Sequence, residues 1–408
     1  MISSDAFFSK SILWAVFLIS GVMQSAVFGR TVSEDTQGLQ ISPSISMSVI
    51  RDNNVFSRVE KPVDDRSIVI HPSISIVNNL DDDQYSLVAG LKTERYSTLN
   101  TQDNDEYEFA LFSRKALGRD HRLELFMQTD RTTEKQFSAE NFQGELPGKI
   151  DEMEVSARYA YQAGRIPFGM SLTQNRYRYQ QSSADQVSRD DDPRDRNETV
   201  GSLRVGYMPV PGSEVFIELQ TGNIESTADS LSEEASRDAS ISDFLIGYAN
   251  GVGDLIRVNA TIGRYSRSFD AELLGDVSGM RHEANVSWQV TPLTSLHFKS
   301  GKRFELTRLV ASPGYESLRN TLKLRHKFRR YLIAEVQFFG GLDSYLKIPT
   351  EDNVTGYGMS LKYRAGRYLS FYISLEQESR ERLRESEGEF KEETVEKSLF
   401  ELGTELIM

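Results

Sequence analysis

The residues best equipped for chemistry in this 408-residue chain are five histidines, His71, His121, His282, His297 and His326. None lies in an H-E-x-x-H or similar ligand spacing, and no G-x-S-x-G elbow or phosphate-cradling glycine loop is present. The chain has no cysteine, which removes thiolate metal sites, thiol nucleophiles and disulfides. The acidic runs Asp81–Asp83 and Arg189–Arg196 (RDDDPRDR) lack the glycine-bearing spacing of a calcium loop. They are expected to be solvated turn and loop tips, with no divalent-cation site at Asp190–Asp192. The sequence therefore predicts no catalytic centre, no metal and no cofactor. A lumenal enzyme assembled from distant glutamates such as Glu124, Glu154, Glu218 and Glu283 stays open as an alternative.

A different chemistry is written into a set of basic side chains. Arg158, Arg204, Arg257, Lys299, Arg303, Arg319, Lys323, Arg325, Lys362 and Arg364 each sit one position out of phase with an alternating apolar run. In a strand, successive side chains point to opposite faces, so these ten share the polar face. They become denser in the last third, where Lys327 follows Arg319, Lys323 and Arg325. Two readings compete: charges that simply pair across strands, or a positive wall that draws an anionic polymer or solute through a pore by many weak contacts.

Those side chains need strands to hold them, and the chain supplies strands throughout. Leu39, Ile41, Pro43, Ile45, Met47 and Val49 alternate with Gln40 and four serines. Pro43 is tolerated because the alternation passes through it without slipping. The pattern recurs in the runs beginning near Ile68, Tyr85, Tyr107, Leu123, Met153, Ile166, Leu203, Val215, Phe244, Ile256, Ala284, Leu296, Leu318, Leu332, Tyr357 and Leu369. With the final run, the reading is all-β, a single closed antiparallel transmembrane barrel of about eighteen strands, or sixteen as the alternative. Connections alternate short and long. Leu80–Asp83, Leu117–Asp120, Pro209–Gly212 and Arg329-Arg330 are short, whereas Asp52–Asp65, Glu134–Lys149, Gln181–Arg196 and Asn223–Ser240 are long. Asn100–Asn104 breaks the rule by being short. Such sorting is expected of an outer-membrane barrel and not of a soluble sandwich. Gln181–Arg196 and Asn223–Ser240 are the candidate constriction loops.

The ends of the chain fit that reading. Lys10 precedes the apolar run Ile12–Met23 and a small-residue exit, the layout of a secretory signal peptide cleaved after Gly29. Residues 1–29 are thus expected to be a signal peptide, 30–38 a short periplasmic segment and 39–408 the barrel. The mean hydropathy of −0.44 agrees with strands that are half polar. A formal net charge of −13 leaves no basic footprint for nucleic acid. At the other end, Phe400, Leu402, Leu406 and Met408 alternate with Glu401, Gly403 and Glu405. Glu401, Gly403, Leu406 and Met408 resemble the C-terminal assembly signal of bacterial outer-membrane barrels, with Met408 in place of the usual Phe. The expected location is the outer membrane of a Gram-negative bacterium, with the lipid, lipopolysaccharide and the barrel assembly machinery as partners.

One local motif is more specific. Asp52-Asn53-Asn54-Val55-Phe56 after the first strand, and His71-Pro72 in the second, resemble the signature of the putative beta-barrel porin 2 family. That resemblance implies an outer-membrane pore of exopolysaccharide or capsule export, linked to biofilm material. It also implies a periplasmic polysaccharide export protein and an inner-membrane copolymerase as partners. An acidic polysaccharide as cargo is an inference from the basic face. The alternatives are a general diffusion porin, favoured by a long inward-folding loop, and a structural or adhesive barrel acting through its outer loops.

Overall fold

The computed structural model describes residues 38–134, 137–140, 148–180, 192–228, 236–250, 255–309, 312–386 and 389–408. The expected signal peptide and the segment up to residue 37 lie outside them. Eighteen strands follow in order. The first six are β1 (Gly38–Asp52), β2 (Asp65–Leu80), β3 (Asp83–Tyr96), β4 (Asn104–Ala116), β5 (His121–Glu134) and β6 (Gly148–Tyr161). Then come β7 (Phe168–Gln180), β8 (Arg196–Val210), β9 (Ser213–Ser226), β10 (Ala239–Asn250), β11 (Ile256–Phe269) and β12 (Val277–Thr291). The ring is completed by β13 (Thr294–Glu305), β14 (Tyr315–Arg329), β15 (Leu332–Tyr345), β16 (Thr350–Arg364), β17 (Leu369–Ser386) and β18 (Glu389–Ile407). Each strand pairs antiparallel with its neighbour in sequence, and β1 also pairs with β18, so the sheet closes. Every run singled out in the sequence became one strand; Ile166 fell in the turn before β7 and Met408 one residue past the end of β18.

The alternation explains the two surfaces. Leu172, Leu219, Ile246, Ile262, Phe298, Leu322, Phe338 and Leu402 are all exposed on the outer face, around the whole circumference. A continuous exposed apolar band is not tolerated in water and is what a lipid-facing wall requires. Tyr207, Tyr248, Trp288, Phe328, Tyr331, Tyr363 and Tyr368 stand exposed near the end that carries the short turns, as an interfacial aromatic girdle. The opposite parity faces the lumen. β10 shows this cleanly: Ile241, Asp243, Leu245 and Gly247 are buried, while Ser242, Phe244, Ile246 and Tyr248 are exposed.

Both prolines sit where a missing donor costs little. Pro43 lies at the very end of the β1–β18 ladder, where its carbonyl accepts from Met408 N at 2.9 Å and no further pair follows. Pro72 coincides with a gap in the β2–β3 ladder between Ile70↔Thr93 and Ser73↔Gly90. The closing seam ends as the terminal motif suggested. Leu406 and Met408 face outward, Glu401 accepts from Tyr372 Oη at 3.0 Å and Ser374 Oγ at 3.2 Å, and Gly403 lies against the Tyr372 ring.

The long connections are shorter than the sequence suggested. Asp343–Asn353 and Arg382–Glu392 also read as long polar connections in the sequence, yet only residues 346–349 separate β15 from β16 and most of Arg382–Glu392 is strand. Above the apolar band the residues are polar on both faces, so the hydropathy pattern fades while backbone pairing continues.

Candidate functional site: the lumen and its closed mouth

The ten basic residues lie on strand positions of lumen parity, but half of them are neutralised there. Arg204 pairs with Glu214 at 2.7 Å, Arg319 with Asp343 at 2.5 Å and Lys323 with Glu335 at 3.0 Å; Arg303 pairs with Glu305 and Lys362 with Glu405. Arg158 lies in register with Glu124. Among the described residues, Arg257, Lys299, Arg325 and Arg364 have no carboxylate within ion-pair distance. Facing inward from β4–β6 into the same lumen are Glu108, Asp130, Glu152 and Glu154, and one carboxylate oxygen of each of the three glutamates lacks a hydrogen-bond partner. The wall is therefore of mixed sign, and an unbroken positive face does not form. Sequence parity finds which side a charge faces, but not which carboxylate the neighbouring strand sets beside it.

The end carrying the long connections is filled. Phe137, Ala139 and Glu140, from the β5–β6 connection, are buried on the far side of the ring. Tyr345 Oη donates to Ala139 O at 3.0 Å and Arg382 Nη2 does so at 2.6 Å. Arg308 N donates to Glu140 Oε2 at 2.9 Å, and the Arg380 guanidinium stands over the Phe137 ring. Since β5 and β15 are eight steps apart around the ring, this segment spans the lumen. Among the described residues, the segment that spans the lumen is 137–140 of Glu134–Lys149. Of the two expected loops, residues 181–191 and 229–235 lie outside the described set. Asn223–Ser226 belongs to β9, and Ala239 and Ser240 to β10.

Arg382 is itself fixed by Asp352, which accepts from its Nε and Nη2 at 2.6 Å each and from Arg380 Nη1 at 3.2 Å. Arg380 reaches on to Asp343, the partner of Arg319. Asp343 and Asp352 are fully buried, so each carboxylate depends on these guanidinium groups in place of water.

A second network corrects the reading of RDDDPRDR as a solvated tip. Asp192, Arg194, Asp195 and Arg196 are all buried. Arg194 donates to Glu134 Oε1 at 2.6 Å and to Asp192 Oδ1 at 2.9 Å, and stacks on Tyr179. These carboxylates outweigh its desolvation and hold its pKa above the usual range. Burial pushes the Asp195 carboxyl up to about 6, against a hydrogen bond from Tyr179 N. Arg237 is 1 % exposed and donates to the carbonyls of Leu309, Ser312 and Pro313. Burial draws its pKa down to about 10. Local charge density signals loop tips in a sequence, and nothing in RDDDPRDR reveals that Glu134 waits across the mouth.

The third component is apolar. The β12–β13 ladder stops at His282↔Lys302, although β12 runs on to Val277 and β13 to Glu305. Phe304 and Glu316 share strand parity with the outward Phe298 and Leu322. Yet Phe304 packs on Tyr265 and Phe269, which face inward, and Glu316 accepts from Tyr265 Oη at 2.9 Å. The upper β13–β14 hairpin has therefore left the wall and tucked inside it. Its Leu306 joins Ile224, Ile241, Phe269, Leu274 and Val277 in a small core within the barrel mouth. Around it lie a cavity of about 150 Å3 beside Glu140 and Arg194 and another of about 210 Å3 beside Tyr177, Arg281 and Arg303. At the opposite, turn-bearing end the lumenal Lys323, Glu335 and Lys362 keep roughly a third of their side-chain surface in solvent.

The histidines are dispersed. His121 meets Tyr159, His282 meets Ser300, His297 meets Ser287 and His326 meets Thr294. Among the described residues no group of three His, Asp or Glu could hold a metal ion.

The Asp52–Phe56 motif has a structural role at the closing seam. Asp52 pairs with Lys397 at 2.7 Å, Asn53 exchanges two hydrogen bonds with Ser398, and Asn54 Nδ2 donates to Glu396 O at 3.0 Å. Val55 is buried and Arg58 stands over Phe56. The motif thus extends the β1–β18 junction beyond its ladder of nine pairs.

Among solved structures, the chain is similar to the FrpB iron transporter from Neisseria meningitidis (F5-1 variant). The identity is 8 %, over 91 % of this chain and 83 % of that one, with a TM-score of 0.43. It is also similar to the ferric enterobactin receptor PfeA from Pseudomonas aeruginosa in complex with enterobactin, R480A mutant. There the identity is 8 %, the coverage 91 % and 82 %, and the TM-score 0.43. The copper transporter OprC gives 8 %, 92 % and 81 %, with 0.44. Likenesses this distant carry nothing about function. No curated protein matches the chain. The family model described as Putative beta-barrel porin 2 matches residues 38–399, nearly the whole described barrel. With its closed eighteen-stranded wall, lipid-facing apolar band and polar lumen, the chain belongs to the putative beta-barrel porin 2 family of outer-membrane β-barrels.

Proposed function

We propose that the protein is an export pore, conducting a polysaccharide from the periplasm outward through a mouth that is shut at rest. The observation that carries this reading is the asymmetry of the lumen. Lys323, Glu335 and Lys362 keep roughly a third of their side-chain surface in solvent at the end bearing the short turns, which is periplasmic in such barrels, whereas Arg194, Asp192, Asp343 and Asp352 are buried in the ion-pair networks at the other. A conduit wide enough for a glycan chain would breach the outer membrane if it stood open, so it needs a seal that cargo or a partner displaces. The mixed lumenal charges suit a polyhydroxylated polymer, which slides by exchanging many weak polar contacts. The glycan's own charge is left open, because five of the ten basic groups are already paired. A periplasmic polysaccharide export protein would dock at the turn-bearing rim. No catalytic step is needed for this activity, and we infer a non-enzymatic role.

The test is a clean deletion strain, with polysaccharide measured outside the cell and in the periplasm. Loss outside with accumulation inside is the expected result. Unchanged secretion would overturn the export reading. It would leave a diffusion porin for small solutes, which the lumen-spanning Phe137–Glu140 segment specifically favours.

A further inference from the structure

We propose that the upper β13–β14 hairpin is the gate, and that it opens by completing a β12–β13 ladder already encoded in register. This inference rests on the pore reading of the barrel. The present ladder ends at His282↔Lys302, leaving facing strand edges on both sides: Val277–Arg281 of β12 and Arg303–Glu305 of β13. Unpaired edges of this kind are normally covered or paired. Continuing the same register would set Arg281 opposite Arg303, Met280 opposite Phe304 and Gly279 opposite Glu305.

The apolar side chains fit that second arrangement, and the opposed Arg281 and Arg303 would each keep the carboxylate they now pair with, Asp243 and Glu305. Met280 is already exposed on the outer face, and Phe304 would join it there, extending the band that holds Phe298. Arg281, Arg303 and Glu305 would line the lumen. The same alternating segment is thus compatible with two packings. In one, Phe304 sits inside against Tyr265 and Phe269; in the other it sits outside beside Met280. Gly279 permits the inner one, because a Cβ there would collide with the Glu316 carboxylate and the Tyr265 ring. Three contacts hold the hairpin in: Tyr265 with Glu316, Arg237 with the carbonyls of Leu309, Ser312 and Pro313, and Glu140 with Arg308 N. A ladder gained in place of a small core lost is the kind of near-balanced exchange that a two-state element needs.

The absence of native cysteine allows a direct test in the full-length protein. Met280→Cys with Phe304→Cys brings two thiols together only in the completed ladder. Tyr265→Cys with Phe304→Cys marks positions whose rings meet in the tucked state, at 5.7 Å between centroids, and is bridged there by a short bifunctional thiol reagent. Each protein is confirmed as folded by its heat-modifiable band, oxidised or bridged accordingly, and recorded in planar bilayers. The expected result is that the first disulfide raises conductance, reversed by reductant, and the second bridge abolishes openings. A third variant needs no crosslink: Gly279→Val should increase open time by crowding out the tucked hairpin. Three results would overturn the gate: failure of the first pair to crosslink in folded protein, crosslinked proteins that conduct like the unmodified one, or a Gly279→Val protein with unaltered open time. If no protein conducts even when the first pair is crosslinked, the pore reading itself fails along with the gate.

Discussion

Replacing Asp352 with Ala tests whether the mouth is held by buried charge. Asp352 is fully buried and receives both 2.6 Å bonds of the Arg382 guanidinium and a 3.2 Å bond from Arg380. Removing one partner of a buried pair costs about 3–5 kcal/mol, because the surviving charge stays desolvated. The Arg382 side chain is 19 % exposed and recovers some hydration, which places the expected loss near ~3 kcal/mol. Asp352→Asn keeps an acceptor and the volume but no charge, so it leaves the same guanidinium groups uncompensated and should lose nearly as much as Ala, about 2–3 kcal/mol. Adding Arg382→Met to Asp352→Ala should return part of the loss, since no orphan cation then remains at that position. The assay is urea unfolding of the refolded barrel in lipid vesicles, followed by the heat-modifiable band. Because Arg382 also holds Ala139 O, the Ala variant should additionally show more frequent channel openings. A loss below about 1 kcal/mol for Ala, or no recovery on adding Arg382→Met, would refute the argument that desolvated charge holds this end together.

Arg237→Ala strips three carbonyls of their donor in a buried setting, and should cost about 2–4 kcal/mol in the same unfolding assay and raise channel open time. Arg237→Lys, with one donor centre in place of a planar fork, should restore little of it. Gly403→Ala drives a methyl into the Tyr372 ring and should cost about 1–3 kcal/mol, seen as a weaker folded band, with Tyr372→Ser restoring it. The Asp195 carboxyl, raised to about 6 by burial, binds its proton more tightly in the folded chain. Its contribution to stability is therefore fully present below its unfolded value and lost as pH rises towards 6. Asp195→Asn should remove that loss, so the variant's unfolding midpoint gains on the parent between pH 4 and 6, as thermal scans would show. Changing Arg257, Lys299, Arg325 and Arg364 together to Gln should leave the folded band intact and shift the zero-current potential away from anion preference; an unchanged potential would reject a role for these four.

The closing-seam motif shows how far sequence reading reached. Asp52, Asn53, Asn54 and Val55 were legible as a family signature, but only their contacts with Lys397, Ser398 and Glu396 disclose what they do. The separation is more than three hundred residues, and short motifs carry no record of it. Arg319 and Lys323 read as free basic groups in the sequence, yet both are paired with carboxylates. Asp343 and Glu335 belong to the neighbouring strand, and their pairing depends on register.

What the sequence determined by itself is everything set by period two: strand number, the lipid-facing and lumen-facing sides, ring closure through the terminal strand, and the sorting of connections. Alternation is a local property, and lipid on one side with water on the other reads it residue by residue. The tertiary structure alone decided the state of the mouth. Phe304 carries an outward-facing parity and ends up inside, because β13 leaves β12 above Lys302 and buries it against Tyr265 and Phe269. Ala139 crosses to Arg382, and Arg194 finds Glu134, through contacts between strands far apart in the chain. Which charges are solvated and which are sealed follows from those long-range contacts, and a buried ion pair looks the same in sequence as two charges on an open loop.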